Sequence, residues 1–214
     1  KPYLRKNGRL IVVDWEEALT YAADKIINKK FTSVIGDMAS TEATYALKLL
    51  SQGLNGNYEC RVDGSNLSSS DRSCFIGNSE ISELDYCDNI VLIGTNPKIE
   101  SPVFNARIRK AWLNGSEVYL IGQKVDLTFE YNYLGSDRLA LDSLINKKKP
   151  ILNSKTVVIL GHGALIGNDG DVVLQATKKL VEKYSCKFLI LHIAASRVGA
   201  MEIGFTHKSG LKSA

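Results

Sequence analysis

The groupings on which metal and nucleophile chemistry depend are missing from this sequence. Its four cysteines, Cys60, Cys74, Cys87 and Cys186, stand 14, 13 and 99 residues apart. Zinc and iron–sulfur sites bring several thiolates to one ion through spacings such as C-x₂-C, and no such spacing occurs. Sparse, unclustered cysteines point to reduced thiols in a non-secreted protein. The histidines, His162, His192 and His207, are scattered, and neither an H-E-x-x-H motif nor a nucleophile elbow is present. His192 interrupts an apolar run and reads as a hydrogen-bonded core residue. Cys87 or Ser79 as a nucleophile would need a base, and none is in view. The sequence therefore predicts no catalytic, cofactor-binding or metal-ligating residue.

Long apolar runs are absent too. None approaches the ~18 residues a membrane span needs, so no segment is expected to cross a bilayer. The start, Lys1-Pro2-Tyr3, has neither a Met nor a signal-like apolar region, which suggests a removed leader or an earlier coding start. Charge of one sign is also missing: 27 basic against 23 acidic residues give +4, too little to imply nucleic acid. The longest like-charge run, Lys147-Lys148-Lys149 before Pro150, reads as a solvated connection and places a candidate subdivision near residues 146–154.

What is present is an ordinary apolar content, 44% of 214 residues, arranged with alternating periods. Residues 9–13 read as a strand. Asp14 and Glu17 have capping-box spacing, and Trp15, Ala18, Leu19, Ala22, Ala23 and Ile26 fall at helical spacing and share one apolar face. Residues 31–36 form a second strand. A second helix carries Ala43, Ala46, Leu47, Leu50 and Leu54 and stops at Asn55-Gly56-Asn57. Residues 60–82, rich in Ser, Asp, Gly and Asn, read as a long surface excursion. A strand follows at 89–94, then a helix over 101–113, a strand at 117–121 and a loop over 123–135. Leu139, Leu141, Leu144 and Ile145 predict a short helix. A strand at 156–160, a helix through Val172, Val173, Ala176 and Leu180, and a strand at 187–193 complete the pattern. Residues 199–214 show little period and are expected to wrap a surface or a partner. Alternation of this kind predicts one α/β domain over residues 1–214, three-layered with mainly parallel sheets.

Three stretches invite a functional reading. Gly161-x-Gly163-x-x-x-Gly167 does not match G-x-G-x-x-G, and a tight strand-to-helix turn explains its glycines. Arg107, Arg109 and Lys110 lie opposite the apolar stripe of Phe104, Ile108, Ala111 and Trp112. They are the candidate partner contacts, with a solvated basic face as the equal alternative. Ser101-Pro102 offers an N-cap and a favoured first-turn proline, and the N–H groups there are a candidate anion site.

The whole run Gly94-Thr-Asn-Pro-Lys-Ile-Glu-Ser-Pro-Val-Phe-Asn-Ala-Arg-Ile-Arg-Lys-Ala-Trp-Leu113 resembles a signature of the large iron–sulfur subunits of respiratory complex I, NADH:ubiquinone oxidoreductase. Ser33-Val-Ile-Gly36, Glu42-Ala43, Ala46-Leu47-Lys48, Ile121 to Thr128, Tyr131, Leu134-Gly135, Asn168-Asp169-Gly170 and Arg197 to Gly204 support it in order. Such subunits join a ferredoxin-like, cluster-bearing part to a part related to molybdopterin oxidoreductases, and this chain resembles the second only. The resemblance implies a degenerate, truncated fold of the molybdopterin oxidoreductase type without the cluster-binding part, as in a split subunit. It implies no cofactor on this chain, with iron–sulfur clusters and FMN elsewhere in the complex. Its expected partners are the cluster-bearing part of the same subunit and other peripheral-arm subunits, and its expected place is the matrix side of the mitochondrial inner membrane. Formate dehydrogenases and their kin carry Asn-Pro-x-x-x-His-Pro here; Ser101 takes the place of that His. The rival readings are an active molybdopterin oxidoreductase fragment and a stand-alone anion- or nucleotide-binding domain using Gly161 to Gly170.

Overall fold

The computed structural model describes residues 1–65, 67–69, 71–146 and 151–211. Strand β1 (Tyr3–Lys6) pairs antiparallel with β2 (Arg9–Val12). The connecting Asn7-Gly8 has φ of 49° and 80°, as a tight hairpin with right-handed strand twist demands. Helix α1 (Trp15–Ile26) starts where the Asp14 carboxylate accepts the Glu17 N–H at 2.8 Å. The Glu17 side chain turns away to pair with Lys6, so only half of the expected capping box forms. The apolar face of this helix is not covered: α1 has no buried residue, and Trp15 and Leu19 are 66% and 62% exposed.

Strand β3 (Thr32–Val34) is followed by α2 (Thr41–Gly53), capped by Ser40. Asn55, at φ 54°, turns the chain into β4 (Asn57–Glu59), which pairs parallel with β3 as a two-stranded sheet. The stop read at 55–57 therefore hides a strand too short to show a period.

The stretch over 60–82 is not a surface excursion. Cys60, Leu67, Cys74 and Phe75 are all buried there. Its polar composition misleads because buried partners satisfy its charges: Glu59 and Arg61, 0% and 6% exposed, form a two-pronged pair at 2.8 and 2.6 Å. Arg61 also donates to the Leu67 carbonyl at 2.6 Å.

Next come β5 (Asn89–Ile93), α3 (Pro97–Glu100), α4 (Pro102–Leu113), β6 (Glu117–Ile121), β7 (Asn132–Gly135) and α5 (Arg138–Ile145). After them follow β8 (Thr156–Gly161), α6 (Gly170–Tyr184), β9 (Lys187–Leu191) and α7 (Arg197–Glu202). Two of these differ from expectation. β7 lies within the predicted loop; as a four-residue edge strand, largely unburied, it needs no apolar alternation. α7 lies largely in the tail read as having little period, and the chain just beyond it packs inward, with Phe205 fully buried. The lysine triplet and Pro150 lie outside the described residues.

The main sheet has the order β7-β6-β5-β8-β9, all parallel. Every residue of β5 and β8 is buried, as expected of central parallel strands covered on both faces. Alternate residues feed two cores: Val91, Ile93, Val158 and Leu160 meet α5 and α6 on one side. Ile90, Leu92, Val157 and Ile159 share the other with Phe104 and Ile108 of α4. The layers are helix, sheet and helix, the predicted three-layer α/β class.

Candidate functional site

In an open parallel sheet, ligands dock beyond the carboxyl ends of the strands where the strand order reverses. Here the order reverses at β5, between β6 and β8. The chain has closed that crevice with its own backbone. Gly94, at φ +57°, follows β5, and a Cβ built on it would lie 2.5 Å from the Ala164 Cβ. A Cβ on Gly161 would lie 2.2 Å from the Thr95 Cβ, and one on Gly163 would lie 2.8 Å from the Gly94 carbonyl oxygen. Gly161 and Gly163 thus serve close backbone packing against the turn after β5.

The turn after β5 is filled in a second way. The Glu100 carboxylate folds back over it, accepting the Asn96 N–H at 2.6 Å and the Thr95 hydroxyl at 2.9 Å. Ser101 does not cap α4 with its side chain; α3 runs directly into α4 around it. Ser101 is thus not the predicted side-chain cap, and the Glu100 carboxylate engages the preceding turn at Thr95 and Asn96 rather than the N–H groups that follow Ser101. A Glu four residues after the turn Asn is the signal, close to capping-box spacing, and sequence reading passes over it.

Beside the turn lies a cleft of about 400 Å³. Its charged lining consists of Glu100, Asp137 and Asp169 against Arg138 alone among the described residues, and Arg138 leans on Asp142 at 3.5 Å. Asp137 is spent on capping α5 through the Ala140 N–H at 3.2 Å. The Asn96 Oδ1, also in the lining, is buried without a donor. The cleft thus presents acceptors and negative charge.

A second polar cluster sits beyond β8 and β9. Asp63 accepts from Arg197 at 3.0 Å and lies 3.3 Å from His162 Nδ1, while Arg197, 2% exposed, also donates to Ser65 at 3.1 Å. Burial pushes the Asp63 carboxyl up, but the Ser65 N–H and Arg197 more than reverse this and hold it below its usual range. His192 bonds the Phe75 carbonyl, and burial lowers its pKa, so it is neutral. That agrees with its reading as a core residue. The four cysteines are free and buried, and burial pushes the Cys60 and Cys186 thiols up to about 11, which makes them poor nucleophiles. Among the described residues, no three His, Cys, Asp or Glu side chains converge on a metal position.

The candidate contacts on α4 are split. Arg107 and Lys110 both approach the Asp85 carboxylate at 3.6 Å, and Arg107 also reaches the Ile81 carbonyl at 3.4 Å. Arg109 stands apart, donating to the Thr128 carbonyl at 3.2 Å.

The parallel sheet with helices on both faces is of the open α/β class, and the chain belongs to the molybdopterin oxidoreductase family, whose model matches residues 1–214. Within that class its relatives are specific. An NADH-quinone oxidoreductase subunit from Rickettsia bellii is 35% identical over 98% of the chain and 33% of its own length. The mitochondrial NADH-ubiquinone oxidoreductase 78 kDa subunit of Neurospora crassa is 33% identical over 96% of the chain and 30% of its own length. The resemblance read from Gly94 to Leu113 is borne out, and the chain spans about a third of these relatives. A chain from the formyltransferase/hydrolase complex of Methylorubrum extorquens shares the fold, with a TM-score of 0.65 at 14% identity over 97% of this chain and 66% of that one.

Proposed function

We propose that this chain is a structural, non-redox part of the peripheral arm of complex I. In this reading it supports NADH-to-ubiquinone electron transfer carried by iron–sulfur clusters and FMN in other parts or chains. Its partners are the cluster-bearing part of the same subunit and neighbouring peripheral-arm subunits, on the matrix side of the inner membrane. Among the described residues no helix is long and apolar enough to cross a membrane, which agrees with a peripheral position.

The observation that carries the reading is the Glu100 carboxylate seated in the turn after β5. In an open parallel sheet that place is where a ligand docks, and here the chain's own carboxylate fills it. The names of the relatives supply the complex.

The test is purification of the complex that contains this chain, followed by metal and pterin analysis. The expected result is co-migration with an iron–sulfur protein in a native gel, with molybdenum, tungsten and pterin far below one per chain. Stoichiometric molybdenum or tungsten would overturn the assignment in favour of an active oxidoreductase fragment. Saturable micromolar binding of NAD(H) in calorimetry would favour the nucleotide-binding alternative, against which the Gly161–Ala164 backbone packing weighs.

A further inference from the structure

Right-handed crossovers leave the β9 margin of the main sheet only partly covered on one face. The β5–α4–β6 unit places α4 over one face, and β8–α6–β9, running outward in the opposite direction, places α6 over the other. On the α4 side, Val157 and Ile159 of β8 pack in one cluster with Phe104 and Ile108 of α4, and Leu189 and Leu191 of β9 lie only partly buried against it. These two leucines point that way, while Phe188 and Ile190, which alternate with them, are buried. Val103, 87% exposed, and Ile81, 55% exposed, stand beside them. With Phe104 and Ile159 these side chains bound an apolar groove of about 360 Å³.

The structure limits what can lie there. The outer edge of β9 is sealed by residues 76–78: the Asn78 N–H donates to the Phe188 carbonyl at 2.8 Å, and the Phe188 N–H donates to Asn78 Oδ1 at 2.8 Å. The Ile190 N–H similarly meets the Ile76 carbonyl at 3.4 Å. A visiting strand finds no open ladder, so the occupant must satisfy its own backbone, as a helix does. Among the described residues, Arg107 is the only charged one lining the groove; its Nη1 approaches Asp85 at 3.6 Å and the Ile81 carbonyl at 3.4 Å. A guanidinium carries five N–H donors, so a carboxylate on the occupant can share it. About two-thirds of each longer relative lies outside the matched region, which provides a source for such a helix.

We propose that this groove seats an amphipathic helix from the portion of the subunit that the longer relatives carry outside the matched region. Its apolar ridge lies against Leu189, Leu191 and Val103, and one of its carboxylates pairs with Arg107. This rests on the reading of the chain as part of a larger complex I subunit.

Val103→Cys tests it in the assembled complex. The native thiols of this chain are buried, so on this chain a maleimide reports on position 103. Labelling at least tenfold slower than that of glutathione in the same buffer is expected, and Arg107→Glu should speed it at least fivefold. A cross-linker carried on the introduced thiol should map to a segment of that subunit with apolar residues three and four apart and an Asp or Glu among them. Free labelling in a complex that still contains the chain would overturn the groove while leaving the proposed function intact. So would a cross-link to a second copy or to a different subunit. Absence of the chain from the purified complex would overturn the functional reading itself.

Discussion

Helices α1 and α6 are both amphipathic, and they end in opposite environments. On α6, Leu174, Thr177 and Leu180 are fully buried against β8 and α5. On α1, the equivalent row of Trp15, Leu19 and Ala22 faces outward, exposed. α6 lies between two adjacent strands of its own sheet, so the crossover itself delivers its partner. α1 lies between a hairpin and a sheet of only two strands, and neither is broad enough to cover it. A hydrophobic period shows that a face will be buried; the topology around it decides by what. Residues 1–58 thus resemble one side of an interface, and the five-stranded unit resembles a finished domain.

The largest effect is expected at the seam between the two regions. Glu59 closes β4, and its carboxylate also accepts the His207 N–H at 3.0 Å. Burial alone would raise this carboxyl, yet hydrogen bonds from Arg61 and His207 hold its pKa below the usual range. Arg61→Met strands the charge, and breaking a buried pair costs about 3–5 kcal/mol. Denaturant unfolding should show that loss; one below about 1 kcal/mol would mean the two regions are not coupled through this pair. Leu180→Ala should follow, losing about 2–5 kcal/mol through transfer and cavity terms.

How much of this was legible in advance follows from where the information sits. The strands and helices of the five-stranded unit could be read because each central strand is buried on both faces and reads as one apolar run, as in Asn89–Ile93. β7 could not, because an edge strand of Asn-Tyr-Leu-Gly has no face to declare. Residues 60–82 misled because a charge looks the same in sequence whether water or Glu59 satisfies it. At the candidate site, the motif around Asn96-Pro97 was visible and carried the family. The role of Glu100 was not, since its partners are a backbone N–H and a hydroxyl within the same turn. Asp63, Arg197 and His162 come from three distant segments, and only the fold brings them together.

A smaller effect concerns acid stability. The Glu59 and Asp63 carboxyls sit below their usual range, and His192 sits below 6.5 through burial, with Arg197, His162 and Asp63 facing it. For each, the unfolded chain binds more protons than the folded one between the two pKa values, so stability falls as pH falls through that window. Tm should therefore decline from below about pH 6.5 through His192 and again below about 4.5 through the carboxylates. His192→Gln keeps a donor for the Phe75 carbonyl and should flatten the first decline only. An unchanged slope between about pH 6.5 and 5 would assign that decline elsewhere.

The smallest effect is the sharpest test of the contrast. Leu19→Ala removes as many carbons as Leu180→Ala from a helix of similar pattern, yet it should change the stability of this chain by no more than about 0.5 kcal/mol, as exposed substitutions do. In the assembled complex the same substitution should cost more, because the α1 face would then be covered. Trp15 gives an independent readout. In a Trp112→Phe background its emission should sit near that of solvated tryptophan in the free chain and shift to the blue on assembly. If Leu19→Ala destabilises the free chain as much as Leu180→Ala does, α1 is already packed and the contrast fails. If it is neutral in both states, α1 faces water throughout and residues 1–58 are not an interface. A neutral effect in the free chain with a measurable one in the complex would show that the same apolar period serves folding in one helix and assembly in the other.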